Sequence, residues 1–253
     1  MTDLELAQMA AKQAAVVIRG HFAASTPTEF KGAVDPVTAV DRAAETLVRT
    51  LLSEHRPDDA IVGEEEGGEA TSGRTWIVDP LDGTVNFVHG LPHVAVSIAL
   101  YDGGTGLVGV VIDVIHDELF AAERGAGATV NGSPIVVSET GGLDQALVAI
   151  GFPYDRRHEA QTYGSTVVRI LERAQGIRRL GAAALDLAYV AAGRVDGYVE
   201  HSLQPWDVAA GAVIVHEAGG RLTTELDTPR PVMSTGPVVV SNGHIHRELL
   251  EVI

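Results

Sequence analysis

Apolar residues recur at helical spacing in several stretches of the chain. Residues 3–24 carry many apolar side chains and few helix breakers, and residues 38–54 place their apolar side chains on one face. Three stretches of the second half share this character: residues 157–174, 182–192 and 207–218. Gly219 and Gly220 would end the last of these. The pattern predicts five helices, with one more short helix at the end of the chain.

Short runs of apolar or alternating residues predict β-strands between these helices. The runs lie at residues 60–62, 76–78, 94–101, 107–115, 118–122, 133–138, 195–200 and 237–241. Glycine-rich turns separate several of them, which favours antiparallel hairpins. Residues 104–109 formally match a dinucleotide-binding fingerprint, but a strand-like run follows where a helix should begin. We therefore predict a hairpin turn there.

The order of these elements predicts a layered α/β (α+β) fold. The chain changes character near Gly141 and Gly142, so we expect an N-terminal half at residues 1–140 and a C-terminal half at 141–253. With 253 residues, 45% of them hydrophobic, it can bury a sizeable core. No apolar stretch reaches the roughly 18 residues of a membrane span, and the N-terminus does not read as a signal peptide. A cytoplasmic protein that does not enter a membrane is expected.

The net charge limits the classes of partner that are expected, and the absence of cysteine limits the possible metal ligands. The formal net charge is −16, from 18 Lys and Arg against 34 Asp and Glu. Binding to nucleic acid or to an anionic membrane relies on clustered basic residues, so neither is expected as the main partner. Because the chain has no cysteine, a metal site has to use oxygen or imidazole ligands.

The chemistry is expected where an apolar run ends in two aspartates. Residues 76–87 read Trp-Ile-Val-Asp-Pro-Leu-Asp-Gly-Thr-Val-Asn-Phe. The run predicts a buried strand that Pro80 ends by forcing a turn, so Asp79 and Asp82 project from a rigid element. Two close carboxylates repel each other and favour a hard cation such as Mg²⁺, Mn²⁺ or Ca²⁺, while the N–H groups of Gly83 and Thr84 could receive a phosphate. The alternative is an ordinary turn, because Asp-Gly and Asp-Pro are common turn dipeptides.

Three further acids are candidates, and each has a structural alternative. Glu64 follows a short apolar run and would join the aspartate pair if the two strands are neighbours; otherwise it belongs to a solvated loop. Thr38 and Asp41 outline a capping box, or Asp41 accepts a proton beside Thr84. Asp207 is an N-cap of the helix that follows it, or it closes a metal site from the second half of the chain.

Other catalytic patterns are weak or absent. His89, His93, His244 and His246 lack the helical spacing and the nearby third ligand of a metal site, so surface or packing roles are predicted for them. The sequence contains neither a phosphate-binding loop of the Gly-x-x-x-x-Gly-Lys type nor a Gly-x-Ser-x-Gly elbow.

Taken in order, the acidic motifs resemble those of the inositol monophosphatase family, which comprises magnesium-dependent, lithium-sensitive phosphatases. The matching motifs are Asp35-x-Val37-Thr38-x-x-Asp41, Gly63-Glu64-Glu65, the segment at 76–87, and Trp206-Asp207 ahead of Glu217-Ala218-Gly219-Gly220. The resemblance covers nearly the whole chain. It implies an α-β-α-β-α sandwich, commonly a homodimer, with the site between the two halves.

The resemblance also implies a role for each acid. Glu64, Asp79 and the Leu81 carbonyl would hold one Mg²⁺; Asp79, Asp82 and Asp207 would hold a second. A third, weaker ion would lie near Glu64, and Mn²⁺ is a possible substitute.

Catalytic roles are implied for Glu64, and for Asp41 and Thr84, which would orient the attacking water. Substrate contacts are implied for Asp82, Gly83, Thr84, Gly181, Ala183, Glu200 and Asp207. Glu200 would contact hydroxyl groups of the substrate. The family often has Gly-Ser or Gly-Thr where this chain has Gly181-Ala182-Ala183, so a hydroxyl near the leaving group is missing here.

The expected function is therefore hydrolysis of a small sugar or polyol phosphate, above all myo-inositol monophosphate, by water that two or three Mg²⁺ ions activate. Two alternatives differ only in substrate, namely histidinol phosphate and fructose 1,6-bisphosphate. An alternative of another class is a regulatory binding protein that has kept the scaffold.

Overall fold

The computed structural model describes residues 1–22, 28–30 and 36–253. Its described α-helices are α1 Asp3–His21, α2 Ala39–His55, α3 Thr84–His89, α4 Ala160–Leu171, α5 Ala183–Ala191, α6 Pro205–Glu217 and α7 His246–Leu250. Among the described residues, one 3₁₀ turn, Leu143–Gln145, lies at the start of the second half of the chain. The two long N-terminal helices start at capping boxes, in which Thr2 pairs with Glu5 and Thr38 pairs with Asp41.

A seven-stranded sheet occupies the first half of the chain, and its strands lie in sequence order. They are β3 Ala60–Gly63, β4 Arg74–Asp82, β5 Ala95–Asp102, β6 Thr105–Asp113, β7 Glu118–Glu123, β8 Gly127–Val130 and β9 Ser133–Ile135. All neighbours pair antiparallel except β3 and β4, which run parallel. Strands β1 Thr28–Phe30 and β2 Pro36–Thr38 form a separate antiparallel pair.

A five-stranded mixed sheet occupies the second half. Its strands are β10 Leu147–Ile150, β11 Gly176–Arg178, β12 Gly197–Leu203, β13 Arg221–Thr223 and β14 Gly236–Ser241, in the order β11-β10-β12-β14-β13. Strand β10 runs parallel to β11 and β12, whereas β14 runs antiparallel to β12 and β13.

The two sheets and the helices form five layers. Side chains of a strand alternate between the two faces of its sheet, so Ile77 faces one core while its neighbours Trp76 and Val78 face another. Helices α1 and α2 cover the outer face of the large sheet, and α5 and α6 fill the space between the sheets. Residues of α4 and α7 cover the far face of the small sheet. The predicted α-β-α-β-α sandwich is confirmed.

The inner helix layer joins the two sheets through one shared core. Helix α6 is apolar on nearly every side, as expected of a helix that is buried all round. It packs on strands β4, β5, β6 and β7 although it belongs to the C-terminal half. The division into residues 1–140 and 141–253 therefore stays a prediction. In the described residues, no helix is both long and apolar enough to cross a membrane.

Several expected boundaries differ from the structure. Pro80 does not end its strand: β4 continues to Asp82, and only the ladder with β5 is irregular between Asp79 and Asp82. A proline lacks the N–H that a regular ladder needs, and the bulge accommodates it without ending the strand. The short elements α3, β8, β10, β11 and β13 were not predicted, because three to six residues show too little periodicity. The predicted hairpin turn between β5 and β6 is confirmed.

Close approach of α6 to the large sheet depends on Gly109 in β6. A Cβ added at Gly109 would lie 2.4 Å from the Ala210 backbone oxygen and 3.0 Å from Val213 Cβ. We expect Gly109→Ala to lower the free energy of unfolding by about 1–3 kcal/mol, since the helix has to move away from the sheet. Urea unfolding monitored by circular dichroism measures this change.

Gly20→Ala is the matched control for that substitution. Gly20 lies in α1, and a Cβ there would have no neighbour within 4 Å. Alanine favours a helix over glycine by up to about 1 kcal/mol, so this variant should be as stable as the wild type or more stable. Equal stability of the two variants would contradict the close packing at Gly109.

Candidate active site

The end of strand β4 and the start of α5 meet at Asp82. Its two carboxylate oxygens accept hydrogen bonds from the N–H groups of Ala183 at 3.2 Å and Ala184 at 2.7 Å. These groups belong to the first turn of α5, where backbone N–H groups have no helical acceptor and a negative charge is favoured. Asp82 therefore ties the first half of the chain to the second. Asp79, at the bulge, accepts a hydrogen bond from the Leu81 N–H at 3.0 Å.

Asp41 serves helix α2 and the site together. One carboxylate oxygen accepts a hydrogen bond from the Thr38 N–H at 2.9 Å, which completes the capping box. The other oxygen accepts one from the Thr84 hydroxyl at 3.2 Å. Asp41 thus completes the capping box and also lies beside the Thr84 hydroxyl, whereas its role as a proton acceptor stays a prediction. Burial raises the pKa of Asp41 above its ordinary value. Asp35, the first residue of that motif, lies outside the described residues.

Glu64 precedes the aspartate pair in the sequence and Asp207 follows it, and the fold brings both close to the pair. The Glu64 N–H donates to the Val78 carbonyl at 3.2 Å, since β3 and β4 are neighbouring parallel strands. Asp207 is the third residue of α6 and accepts a hydrogen bond from the Gln204 N–H at 2.7 Å. The N-cap of α6 is Gln204, so the expectation that Asp207 itself is the N-cap was wrong. The helix begins at Pro205, two residues before Asp207, the last residue of the capping box.

Burial and mutual repulsion set the electrostatics of this group. Burial raises the pKa of Asp79 well above its usual range, and the charges of Glu64, Asp82 and Asp207 raise it further. Burial likewise raises the pKa of Asp207, with added repulsion from Glu64 and Asp82. Burial raises the pKa of Asp82 to about 6, although its two backbone hydrogen bonds oppose the shift. These acids therefore lie close enough to repel one another in a poorly solvated place.

The donor set suits a hard divalent cation. Several buried carboxylates and the Leu81 carbonyl offer only oxygen ligands, and a cation would relieve their repulsion. Within the described residues, no three acidic or histidine side chains already stand in the arrangement that would hold one ion. Asp79, Asp82 and Asp207 instead accept backbone hydrogen bonds. Asp79 and Asp207 each use one carboxylate oxygen in this way, which leaves the other oxygen for a cation.

A cavity of about 480 Å³ opens beside the acids. Asp82, Gly83, Thr84 and Asp207 line it, together with the expected substrate-contacting residues Gly181, Ala183 and Glu200. Of the expected metal and catalytic residues, Asp41, Glu64, Asp79 and Leu81 are not among those that line it. Burial raises the pKa of Glu200 to about 7, so this side chain can accept or donate a hydrogen bond near neutral pH. The cavity has the size of a small-molecule site.

Asn86 was not predicted as part of the site, yet it connects two segments that shape it. Its side-chain amide donates to the His93 carbonyl and to the Leu180 carbonyl, both at 2.9 Å. The second of these bonds crosses to the turn that leads into α5 and so to the donors that hold Asp82. The only sequence signal was the position of Asn86 within the 76–87 motif.

A buried His93–Asp186 pair also escaped prediction. His93 Nε2 lies 3.9 Å from Asp186 Oδ1, and neither atom has a hydrogen-bond partner in the described part of the chain. Asp186 lines the cavity, while burial raises its pKa. Asp186 is separated from the aspartate pair by about a hundred residues in the sequence, so no local pattern connects them.

His89, His244 and His246 occupy the surface or packing positions that were predicted for them. His246 is buried and exchanges hydrogen bonds with Thr223 and Ser241, so it has a packing role. His89 and His244 are exposed.

Together, the five-layered fold and the buried acids beside a small-molecule cavity define a class of α/β phosphatases. The sequence model of the inositol monophosphatase family matches residues 2–253, and the chain belongs to that family. The protein is accordingly a phosphatase, of a family that is generally metal-dependent.

Individual relatives support this assignment. The chain is 41% identical to the inositol-1-monophosphatase of Synechocystis sp., with 100% of this chain and 88% of the relative covered. It is also 41% identical to the Nus factor SuhB of Salmonella typhimurium, with 98% and 94% covered. The solved structure of an inositol monophosphatase from Anabaena (Nostoc) sp. matches with a TM-score of 0.89 at 41% identity, covering 98% of this chain and 94% of the other.

The raised pKa values predict how stability depends on pH when divalent cations are removed. The pKa values of Asp82 and Glu200, about 6 and about 7, lie above their ordinary values of 3.8 and 4.5. The folded protein thus binds these protons more tightly than the unfolded chain does. Their contribution to stability is complete below the ordinary values and is lost as the pH rises through the folded-state values. In EDTA we expect Tm to fall between about pH 5 and pH 8, as measured by differential scanning fluorimetry.

Asp79→Asn tests whether the acids cause this fall. The variant removes one repelling carboxylate, so in EDTA at about pH 8 its Tm should exceed that of the wild type by about 2–4 °C per kcal/mol relieved. Asp102→Asn is the control, because Asp102 is exposed at the end of β5. A flat Tm profile, or equal profiles for wild type and Asp79→Asn, would refute the repulsion.

The two hydrogen bonds of Asn86 predict a second effect. Asn86→Ala leaves two carbonyls without a partner, so we expect the free energy of unfolding to fall by about 1–3 kcal/mol. Phosphate release should fall as well, because the turn that holds Asp82 loses its connection to α3. His89→Ala, at an exposed position of the same helix, should change neither quantity. Wild-type stability and turnover in Asn86→Ala would show that the bridge is dispensable.

Proposed function

We propose that the protein is a Mg²⁺-dependent phosphomonoesterase for small sugar or polyol phosphates, above all myo-inositol monophosphate. The observation that carries the proposal is the mutual repulsion of Glu64, Asp79, Asp82 and Asp207 beside the cavity. Burying like charges next to one another is unfavourable unless a cation or a proton compensates them. A cation-binding site explains why the fold holds these acids close together.

The residues that would hold the cations are Glu64, Asp79, Asp82, Asp207 and the Leu81 carbonyl. Oxygen ligands of this kind suit Mg²⁺, with Mn²⁺ as a possible substitute, and two or three ions are proposed. When bound, such ions lower the pKa of a coordinated water and neutralise charge on the phosphate. The proposed ions also offset part of the formal net charge of −16, which would otherwise repel an anionic substrate.

The side chains of the protein orient the attacking water. The Thr84 hydroxyl lies 3.2 Å from Asp41 and 3.1 Å from the Leu81 carbonyl, so its hydrogen is directed towards an acceptor. Its oxygen can then accept a hydrogen bond from the water, while Asp41, with its raised pKa, draws the proton away through Thr84. Glu64 is proposed as a further catalytic group that holds the water.

The phosphate and the leaving group are held at different parts of the cavity. Gly83 and Thr84 begin α3, and the first N–H groups of a helix can donate to a phosphate. Glu200 and the backbone of Gly181 and Ala183 would contact the substrate hydroxyls. Ala182 offers no hydroxyl, so binding of the polyol depends more strongly on Glu200.

Two alternative substrates and one alternative role remain as proposals. Histidinol phosphate and fructose 1,6-bisphosphate would use the same acids with a different leaving group. A regulatory binding role is favoured by the 41% identity to proteins named Nus factor SuhB, and it would accompany catalysis.

We further propose a homodimer, and we propose that nucleic acid is not the main partner because Lys and Arg number only 18.

Phosphate release from a panel of esters tests the proposed function. The panel contains myo-inositol 1-phosphate, histidinol phosphate and fructose 1,6-bisphosphate, each with Mg²⁺ and with EDTA. We expect release that requires Mg²⁺ and is fastest with the inositol ester. Asp79→Asn should lose about 100-fold or more in turnover, and Thr84→Ala about 10²–10⁴-fold, because each removes a group that acts at the reacting atoms.

Asp102→Asn is again the matched control, since it makes the same change in charge at an exposed position. It should retain wild-type turnover. The expected rise in Tm of Asp79→Asn in EDTA separates loss of chemistry from loss of folding. Full turnover of Asp79→Asn, or release that is indifferent to EDTA, would overturn the proposal.

A further inference from the structure

We propose that Glu45, together with Arg49, is a positioning residue that holds the turn carrying Glu64 and so sets the affinity of the site for Mg²⁺. The inference rests on the proposed function, in which Glu64 is a ligand of the cation. Glu45 and Arg49 belong to helix α2 and to none of the acidic motifs that resemble the phosphatase family.

Glu64 needs more support than the other acids of the site. It lies in a turn, whereas the three aspartates proposed to bind the cations lie in strand β4 or helix α6. The chain is exposed shortly after this turn, at residues 68–72. In addition to burial, the charge of Glu64 raises the pKa of Asp79 and Asp207, so these carboxylates repel one another. Repulsion favours movement of the turn out into solvent unless other contacts hold its backbone.

Glu45 supplies contacts of this kind. Its side chain is completely buried. One carboxylate oxygen accepts a hydrogen bond from the Glu65 N–H at 2.7 Å, and the other accepts one from the Glu66 N–H at 3.0 Å. These two N–H groups belong to the residues directly after Glu64, so the bonds fix the path of the backbone there. A charged acceptor makes such bonds stronger than those between neutral groups.

Arg49 completes the arrangement from the next turn of the helix. Its Nε donates to Glu45 Oε1 at 2.8 Å, and its Nη2 donates to the Gly67 carbonyl. The same carbonyl accepts a hydrogen bond from the Gly63 N–H at 3.0 Å, which closes the turn around Glu64. The ion pair thus contacts the turn both at its middle and at its closing residue.

The backbone before Glu64 packs against the same ion pair. A Cβ added at Gly63 would lie 2.1 Å from Glu45 Oε1 and 2.9 Å from Arg49 Nη2. Glycine at the end of β3 therefore permits this close approach, since any larger side chain would displace the carboxylate. The carboxylate of Glu45 accordingly lies against the chain on both sides of Glu64.

Stability alone does not explain a buried ion pair at this place. Removing two charges from water is unfavourable, and apolar residues of similar volume are often as stable. The pair instead supplies directed bonds to one turn. Asp41 lies four residues before Glu45, on the same face of α2, and accepts the hydrogen bond of Thr84. One helix face thus positions both the group proposed to orient the water and the turn proposed to hold a cation.

Calorimetric titration with MgCl₂, after removal of divalent cations with EDTA and dialysis, tests the inference. In Glu45→Gln, an NH₂ group replaces one acceptor oxygen, so the turn loses a hydrogen bond. We expect the Kd for Mg²⁺ to rise about 10–100-fold, as is usual when a residue that orients a metal ligand is changed. Glu54→Gln is the matched control, because it makes the same change at an exposed position of the same helix. It should leave the Kd unchanged.

The Mg²⁺ dependence of phosphate release separates positioning from a general loss of stability. The positioning role predicts that Glu45→Gln needs more Mg²⁺ for half-maximal release but keeps a maximal rate near that of the wild type, because every proposed ligand is retained. A lower Tm in EDTA with an unchanged Kd and an unchanged half-maximal concentration would show that Glu45 serves stability only, and would overturn the inference.

A double substitution tests whether Glu45 acts through Glu64. In a Glu64→Gln background, Glu45→Gln should weaken Mg²⁺ binding by much less than it does in the wild type, since the ligand that it positions is already changed. Equal weakening in both backgrounds would contradict a role through Glu64.

Arg49→Lys decides the matter if Glu45→Gln does not fold. It keeps a positive charge beside Glu45 but loses the planar fork that also reaches Gly67. We expect the Kd for Mg²⁺ to rise about 2–10-fold, the effect of one hydrogen bond, and an unchanged Kd would refute the inference. A wild type that binds no Mg²⁺ refutes the proposed function and this inference with it. A wild type that binds Mg²⁺ no more tightly than Glu45→Gln and Arg49→Lys refutes the inference alone.

Discussion

The burial of repelling carboxylates at the junction of two sheets is the constraint on which the rest of the structure depends. Asp79 and Asp82 come from the large sheet, and Asp207 comes from a helix of the second half. Their proximity is unfavourable by itself, so the surrounding core has to hold them in place. Helix α6 packs tightly on β6 through Gly109, and α5 presents two N–H groups to Asp82. The inner helix layer therefore keeps the acids together.

Each acid of the site is also part of the local backbone structure. Asp41 completes the capping box of α2, Asp207 accepts from Gln204, the N-cap of α6, and Asp79 accepts from Leu81 within the bulge. For Asp41 the sequence left capping and a contact with Thr84 as alternatives, but both occur in the structure, because a carboxylate has two oxygens. One oxygen can orient the side chain through the backbone while the other faces a neighbouring group, as at Asp41 and Thr84.

The long, periodic elements were predictable, whereas the short ones were not. Strands β5 and β6 and helices α1 and α2 show clear alternation or helical spacing, so their existence follows from hydrophobic burial alone. Strands β11 and β13 have three residues each and form only because neighbours supply their hydrogen bonds. Strand β4 continues past Pro80 for the same reason: tertiary packing outweighs the local preference of proline.

By itself, the sequence determined which segments are buried, the layered class of the fold and the family-like order of acidic motifs, because these follow from local pattern and spacing. Only the tertiary structure decided that Asn86 bridges to the turn before α5 and that Asp186 lies opposite His93. It also decided that Arg156 and Arg179 line the same cavity, each beside an aromatic ring. Contacts of this kind join residues far apart in the chain, and no local periodicity records which distant side chains become neighbours.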